Sequence, residues 1–222
     1  MTIDKYLKGN RYPGRVLIAG NSQDGSIVAA YAIMGRSENS RNRVFTHEDG
    51  YLKTKAFDES KVEDPSLIIY NAGIKLNNYF ILTNGDQSDT IKEELINGGS
   101  LATALLKREC EPDSPAYTSR ISALFDESTN TSSLSIIKKV GDSCERVIWN
   151  YPVIKGKAHI IHTYLTDGNP LPAFKGDPAL LDIPSNIDEL TSLIWSSLDA
   201  DNRISLYVRV KDEEKIINKN IK

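Results

Sequence analysis

Arg36, Arg41 and Arg43 fall within one short stretch, Gly35-Arg36-Ser37-Glu38-Asn39-Ser40-Arg41-Asn42-Arg43, where hydroxyl and amide side chains fill most other positions. A guanidinium fork matches the oxygens of a carboxylate or phosphate, and Ser or Asn can satisfy the oxygens it leaves. The chain carries a formal net charge of -3, so this cluster is a local feature and not part of a general basicity. It predicts a place for a small anion, a phosphorylated metabolite first, against the plainer alternative of a solvated loop with surface arginines. If Arg41 to Arg43 is extended, those two side chains share a face and Asn42 points away.

Two further groups of residues could do chemistry. Tyr70-Asn71 closes an apolar run from Leu67, and Asn84-Gly85-Asp86 closes another from Tyr79, so neighbouring strands offer Tyr and Asn at their exits. The plainer reading makes Tyr70 a core aromatic and Asn84-Gly85 a turn pair. The segment Cys110-Glu111-Pro112-Asp113-Ser114-Pro115-Ala116-Tyr117-Thr118-Ser119-Arg120 sets a carboxylate pair on a proline-stiffened loop, with Tyr, Thr and Arg entering a strand. That could supply a general acid or base with polar anchors, or simply connect a helix to a strand.

Other chemistries are set aside. His159 and His162 stand three apart in a strand-like run and therefore face opposite sides, so one metal cannot take both. Nucleophile-elbow, phosphate-loop and dinucleotide-binding patterns are missing from the sequence. Cys110 lies between Glu109 and Glu111, which disfavours its thiolate. The inventory permits a mechanism without cofactor or metal, built on carboxylate, phenol and guanidinium.

The elements that must position these groups are legible in outline. Strands are predicted over Val16 to Ala19, Ile27 to Met34, Leu67 to Asn71 and Tyr79 to Asn84, with turns at Asn21 to Gly25 and Asn84 to Asp86. A helix is predicted from about Thr90 to Lys107, with Thr90 and Glu93 as a capping box and Gly98-Gly99 dividing it into two helices at an angle. Further strands follow over Thr118 to Leu124, Leu134 to Val140, Glu145 to Trp149 and His159 to Tyr164. A second helix opens at Pro184-Ser185-Asn186 with Asp188 at the capping position and ends near Leu198. Ile204 to Val210 reads as the final strand, and Lys211 to Lys222 as a polar, frayed end. Strands in runs, not alternating with helices, predict an α+β protein of two mainly antiparallel sheets flanked by a few helices.

At 222 residues, 40% hydrophobic and 26% charged, the chain reads as one domain, residues 1–222, with a substantial core. The acidic balance argues against a nucleic-acid partner, and the lack of a long apolar run argues against a membrane. Cys110 and Cys144 suggest no disulfide framework, which fits a reducing, cytoplasmic setting. Whether copies associate into a homo-oligomer is left open, since an exposed sheet edge could be covered by one.

Tyr12-Pro13-Gly14-Arg15, Gly35-Arg36-Ser37 with Arg41, Tyr70-Asn71, Asn84-Gly85, and Glu111 followed by Tyr117-Thr118-Ser119-Arg120-Ile121 together resemble the archaeal-type IMP cyclohydrolase family. The resemblance runs in order from about residue 12 to 125. It implies a four-layer αββα sandwich similar to the N-terminal-nucleophile hydrolases, without their self-processing. It also implies a cofactor-free enzyme that closes the ring of 5-formamidoimidazole-4-carboxamide ribonucleotide (FAICAR) to IMP with loss of water, the last step of de novo purine biosynthesis. On that reading Arg36 and Arg41, supported by Ser37 and Arg43, hold the phosphate and the oxyanion. Tyr70 and Glu111 move protons in an order the sequence does not settle, and Asn71 and Asn84 hold the carboxamide. Gly85, Tyr117 and Arg120 complete the substrate contacts. Ser40 and the extra Arg43 depart from the family's pattern, and the segments after 125 do not align. Rival readings are an amidohydrolase using Thr2 as N-terminal nucleophile, a non-catalytic purine-nucleotide binding protein, and a related cyclase or deaminating hydrolase acting on another ribonucleotide.

Overall fold

The computed structural model describes residues 1–62, 65 and 69–221. After a short helix α1 (Ile3–Leu7), β1 (Arg15–Asn21) and β2 (Ile27–Met34) form an antiparallel hairpin. A short helix α2 (Glu38–Arg41) leads to β3 (Val44–Glu48) and β4 (Tyr51–Lys55), and then to β5 (Tyr70–Leu76) and β6 (Tyr79–Thr83). Helices α3 (Gln87–Ile96) and α4 (Leu101–Leu106) precede β7 (Arg120–Asp126), β8 (Thr131–Val140) and β9 (Ser143–Tyr151). The chain continues through β10 (Lys157–His162), β11 (Ala179–Asp182), α5 (Ile187–Ser197), β12 (Arg203–Val210) and β13 (Glu213–Asn218).

One sheet has six strands in the order β11-β10-β1-β2-β12-β13, and the other is a seven-stranded meander from β3 to β9. The strand β2 reads IVAAYAIM and is buried throughout because both of its faces are covered. Ala29, Tyr31 and Ile33 join the core between the sheets, while Val28, Ala30, Ala32 and Met34 pack toward α1 and α5. On the far side, Ile74, Ile81 and Ile137 pack against Ile91, Leu101 and Leu105 of α3 and α4. The layers are therefore α1/α5, six strands, seven strands and α3/α4: the α+β, αββα sandwich of two mainly antiparallel sheets that the sequence predicts.

Several local expectations are corrected. The chain does turn at Gly98-Gly99, but α3 starts at Gln87, so Thr90 is inside it; the capping box belongs to Ser100 and Thr103 at the head of α4. The polar end is not frayed through 218: residues 213–218 pair with β12 as edge strand β13, whose Glu and Lys side chains blunt an exposed edge. Leu67 and Ile68 of the strand predicted over Leu67 to Asn71 lie outside the described residues, and β5 runs onward from Tyr70. Cys110 and Cys144 are joined as a disulfide, against the expectation of unpaired thiols; α4 and β9 pack together and bring residues 34 apart in sequence to a Cα–Cα separation of 5.7 Å. No helix among the described residues is long and apolar enough to cross a membrane.

Candidate active site

The hairpin of β5 and β6 turns at Asn77 and Asn78, which returns the end of β6 beside the start of β5. Tyr70, at the start of β5, and Asn84-Gly85-Asp86, just past β6, therefore share one end of the seven-stranded sheet. The loop from α4 to β7 crosses that end, carrying Glu111, Asp113 and Thr118, and Arg120 opens β7. Arg15 enters from the first residue of β1 in the other sheet, and Arg43 from the residue before β3. These ten residues line one cleft where the two sheets meet.

The cleft has a cationic wall and an acidic wall. Arg15 and Arg43 are only 9% and 7% exposed. Arg15 donates from Nη1 to the Met34 carbonyl at 2.8 Å, and Arg43 keeps a buried Nε with no partner. Among the described residues neither guanidinium is paired with a carboxylate, and burial, then the charge of Arg15, brings Arg43 down to about 10. Two buried cations without a counter-charge are an unusual arrangement unless an anion joins them.

The acidic wall is already tied together. Arg120 reaches Glu111 at 2.7 Å and Asp86 at 2.8 Å. Burial raises the Glu111 carboxyl above its ordinary value; Arg120 opposes the rise, and Asp113 and Asp86 add to it. Burial acts to raise Asp86 too, but Arg108 and Arg120 outweigh it and hold that group below the usual carboxylate value. Asp113 accepts the Thr118 backbone N–H at 2.7 Å and its hydroxyl, so the Tyr164 hydroxyl, 2.6 Å from Thr118 Oγ1, must be the donor in that pair.

Of the residues singled out from sequence, Tyr70, Arg43, Asn84, Gly85, Glu111 and Arg120 converge on this cleft. Asn84 has most of its amide committed: Oδ1 accepts from the Ile121 N–H at 2.8 Å and from Gln87 at 3.0 Å, and Nδ2 donates to the Ser119 carbonyl at 2.8 Å. The other expected site residues lie elsewhere. Ser37 forms a capping box with Ser40, which winds 38–41 into α2 and prevents the extended geometry that would align Arg41 with Arg43. Arg41 instead donates to the Asp201 carbonyl at 2.9 Å and to Asn202 at 3.2 Å. Arg36 pairs with Asp167 and lies 4.7 Å over the Tyr12 ring, outside the cleft. Asn71, the neighbour of Tyr70 in a strand, points to the opposite face and donates to Asp89 at 3.0 Å. Tyr117, at φ 40°, lies under the ammonium of Lys139 at 4.6 Å. Thr2 is bridged to Asp182 beside β11 and is not part of this cleft.

Asp113 and Thr118, which the sequence offers as part of a carboxylate pair and its polar anchors, also line the cleft, while Arg15 and Asp86 are the cleft residues given no site role from sequence. Gly14-Arg15 held a signal: a glycine fixed by its environment immediately before a strand-opening arginine. Gly14 has φ +79°, and a Cβ there would stand 2.2 Å from Thr163 Oγ1 and 2.5 Å from the Tyr164 ring. No three His, Cys, Asp or Glu side chains among the described residues converge to hold a metal ion. His159 and His162 do face opposite sides of β10, one stacked on Tyr151 and the other hydrogen-bonded to Tyr6.

Fold and site together define an αββα two-sheet protein with an arginine- and carboxylate-lined cleft where the sheets meet. The chain belongs to the IMP cyclohydrolase-like family, whose model matches residues 12–215. It is 30% identical over 122 residues to an IMP cyclohydrolase of Methanopyrus kandleri, covering 53% of this chain and 60% of that one. It is 29% identical over 157 residues to an IMP cyclohydrolase of Methanococcus aeolicus, covering 69% of this chain and 74% of the relative.

Proposed function

We propose that this chain, taken as one functional domain over residues 1–222, is a cyclohydrolase that converts FAICAR to IMP and water, closing the last ring of de novo purine synthesis. The observation that carries the reading is the pair of buried, uncompensated guanidiniums of Arg15 and Arg43 in the same cleft as Tyr70 and Glu111. The cations suit the phosphate and the oxygen that gains charge during ring closure, and the other two supply a phenol and a carboxyl for proton transfer. The phosphate-binding role expected of Arg36 and Arg41 passes in this proposal to Arg15 and Arg43.

Ring closure needs the carboxamide nitrogen held against the formyl carbon, where intramolecular reactions gain most. As the N–C bond forms, the C=O electron pair moves onto oxygen. Glu111 takes the proton that the nitrogen releases, and Tyr70 gives its hydroxyl proton to the oxygen. The C–O bond then breaks as Glu111 returns its proton, so water leaves, while Tyr70 recovers a proton from the ring nitrogen that becomes part of the new C=N bond. Both side chains end as they began, and the sum is substrate to IMP plus water. Burial favours Glu111 as the base, because a raised carboxyl is better matched to neutral pH.

The ligand on this reading is a mononucleotide and not a nucleic-acid strand, since a point cluster of three arginines, one of them tied to Glu111 and Asp86, and not a basic track, faces the cleft. The location proposed is cytoplasmic, where a glutathione-poised pool would act on the Cys110–Cys144 pair. The test is the purified chain mixed with FAICAR and followed by ultraviolet absorbance as the hypoxanthine ring forms. IMP accumulation supports the reading. Tight IMP binding without turnover replaces it with a nucleotide-binding protein, and neither turnover nor binding removes it.

A further inference from the structure

Tyr31 in β2 and Tyr70 in β5 belong to different sheets, yet their hydroxyl oxygens are 2.7 Å apart across the central core. Tyr31 is 0% exposed, whereas Tyr70 lines the cleft. Between two hydroxyls one must donate, and their surroundings decide which. If Tyr70 donated, the Tyr31 proton would be left buried without an acceptor among the described residues, and an unsatisfied buried donor is costly. If Tyr31 donates, its proton is satisfied and the Tyr70 proton is free to point into the cleft.

From this geometry we infer that Tyr31 is a positioning residue: its hydroxyl donates to the Tyr70 oxygen, aims the Tyr70 proton at the substrate, and holds the oxygen once that proton has gone. The inference rests on the cyclohydrolase reading, in which Tyr70 gives its proton to the formyl oxygen and later recovers one from the ring nitrogen. Tyr31 loses no proton in either step.

The surroundings agree with this role. Arg15 and Arg43 bear on both phenols, so the oxygens sit in a positive field, and Tyr12 and Tyr164 complete the titratable groups around Arg15. Tyr207, opposite Tyr31 in the β2–β12 register, is committed elsewhere through its hydroxyl to Glu214 at 2.7 Å. Burial, and then Tyr70, push the Tyr31 phenol well above its ordinary value, which suits a group that keeps its proton throughout.

A double-mutant cycle tests this with Tyr31→Phe, Tyr70→Phe and the double variant, each assayed for FAICAR turnover and for IMP affinity. Phenylalanine keeps the ring packing at 31. Tyr31→Phe is expected to lower kcat by about 10- to 100-fold, the worth of a hydrogen bond to a charged group, with KM and the IMP Kd within twofold of the parent. In the Tyr70→Phe background the same change is expected to do almost nothing, because the group it acts through is gone. Tyr31→Phe with kcat within twofold of the parent overturns the assignment, as does a loss that repeats in full in the Tyr70→Phe background, which marks a merely structural role. A parent chain that closes no ring overturns the cyclohydrolase reading itself, and this assignment with it.

Discussion

Arg15 and Arg43 reach the same cleft from opposite sheets, both buried, and among the described residues neither is paired with a carboxylate. The cost falls on Arg43, which burial and then the charge of Arg15 lower, whereas the surrounding tyrosines raise Arg15 despite its burial. An arrangement unfavourable in the free protein and favourable around an anion is the signature of a binding site that lowers stability for function.

The first prediction follows from that opposition. Arg43→Met is expected to weaken IMP binding by about 10- to 100-fold while leaving the melting temperature unchanged or raised. Calorimetric titration and thermal denaturation of the same sample read the two effects. A variant that binds IMP normally, or one that loses binding only by losing stability, contradicts the assignment.

The pH dependence of turnover should report Glu111. As the base it must be ionised, so kcat falls as pH drops through its raised value, and the acid limb should lie above the ordinary carboxylate range near 4.3. Arg120 opposes the rise, so Arg120→Met should move the limb to still higher pH. Glu111→Gln should remove the limb and lower kcat far more than it raises KM.

His162 predicts a pH-dependent stability away from the cleft. Its Nδ1 donates to the Tyr164 carbonyl at 2.8 Å and its Nε2 accepts from Tyr6 at 3.0 Å, a neutral imidazole satisfied at both nitrogens. Burial brings it down to about 4. The unfolded chain therefore takes up this proton first, near 6.5, and the stability is complete above that pH and is lost as pH falls toward 4. The full effect is about 3 kcal/mol, and His159, lowered by its own burial against Tyr151, adds to it with the same sign. Urea unfolding of the parent and His162→Gln at pH 7.5 and 5 measures this; equal pH slopes in the two proteins would rule it out.

Gly14 separates steric cost from backbone cost. Gly14→Ala meets both a positive φ and the Thr163 and Tyr164 side chains, and should destabilise by at least ~2 kcal/mol while displacing Arg15 and weakening IMP binding. Gly50→Ala, at φ +80° with nothing within 4 Å, should show only the backbone part and leave binding intact. Denaturation midpoints of the two variants, read beside their IMP affinities, decide it.

What could be read from the chain, and what could not, divides along the range of the interactions. β2 is visible because eight apolar residues in a row suit a strand covered on both faces, and α5 because Pro184-Ser185-Asn186 opens it, although the cap is Asn186, which accepts the Glu189 N–H, and not Asp188, which lies in the first turn. The β3–β4 hairpin had a signal that went unused: Asp49-Gly50, at φ 53° and +80°, is the dipeptide such a tight turn favours. β13 had none, because Glu, Glu and Lys in a six-residue edge strand look like a solvated tail until β12 is there to pair with them.

The site divides in the same way. Tyr70, Asn84 and Glu111 stand at strand ends or on a stiff loop, where local sequence points to them. Arg15 looks like a single charge beginning an apolar strand, and only the packing of one sheet on the other makes it face Arg43. Arg36, Ser37 and Arg41 drew notice by their density, but the Ser37–Ser40 cap turned that density into a short helix and sent both arginines toward other partners. The Cys110–Cys144 pair is likewise a product of tertiary packing, with nothing in the spacing to announce it.

A crystal structure of this chain with IMP bound tests the site most directly. The phosphate or an oxygen of the base should lie within hydrogen-bond distance of the Arg15 and Arg43 guanidiniums, with the newly closed edge of the ring against Tyr70 and Glu111. IMP seated on Arg36 and Arg41, or anywhere that leaves Arg15 and Arg43 without a ligand oxygen, would contradict it.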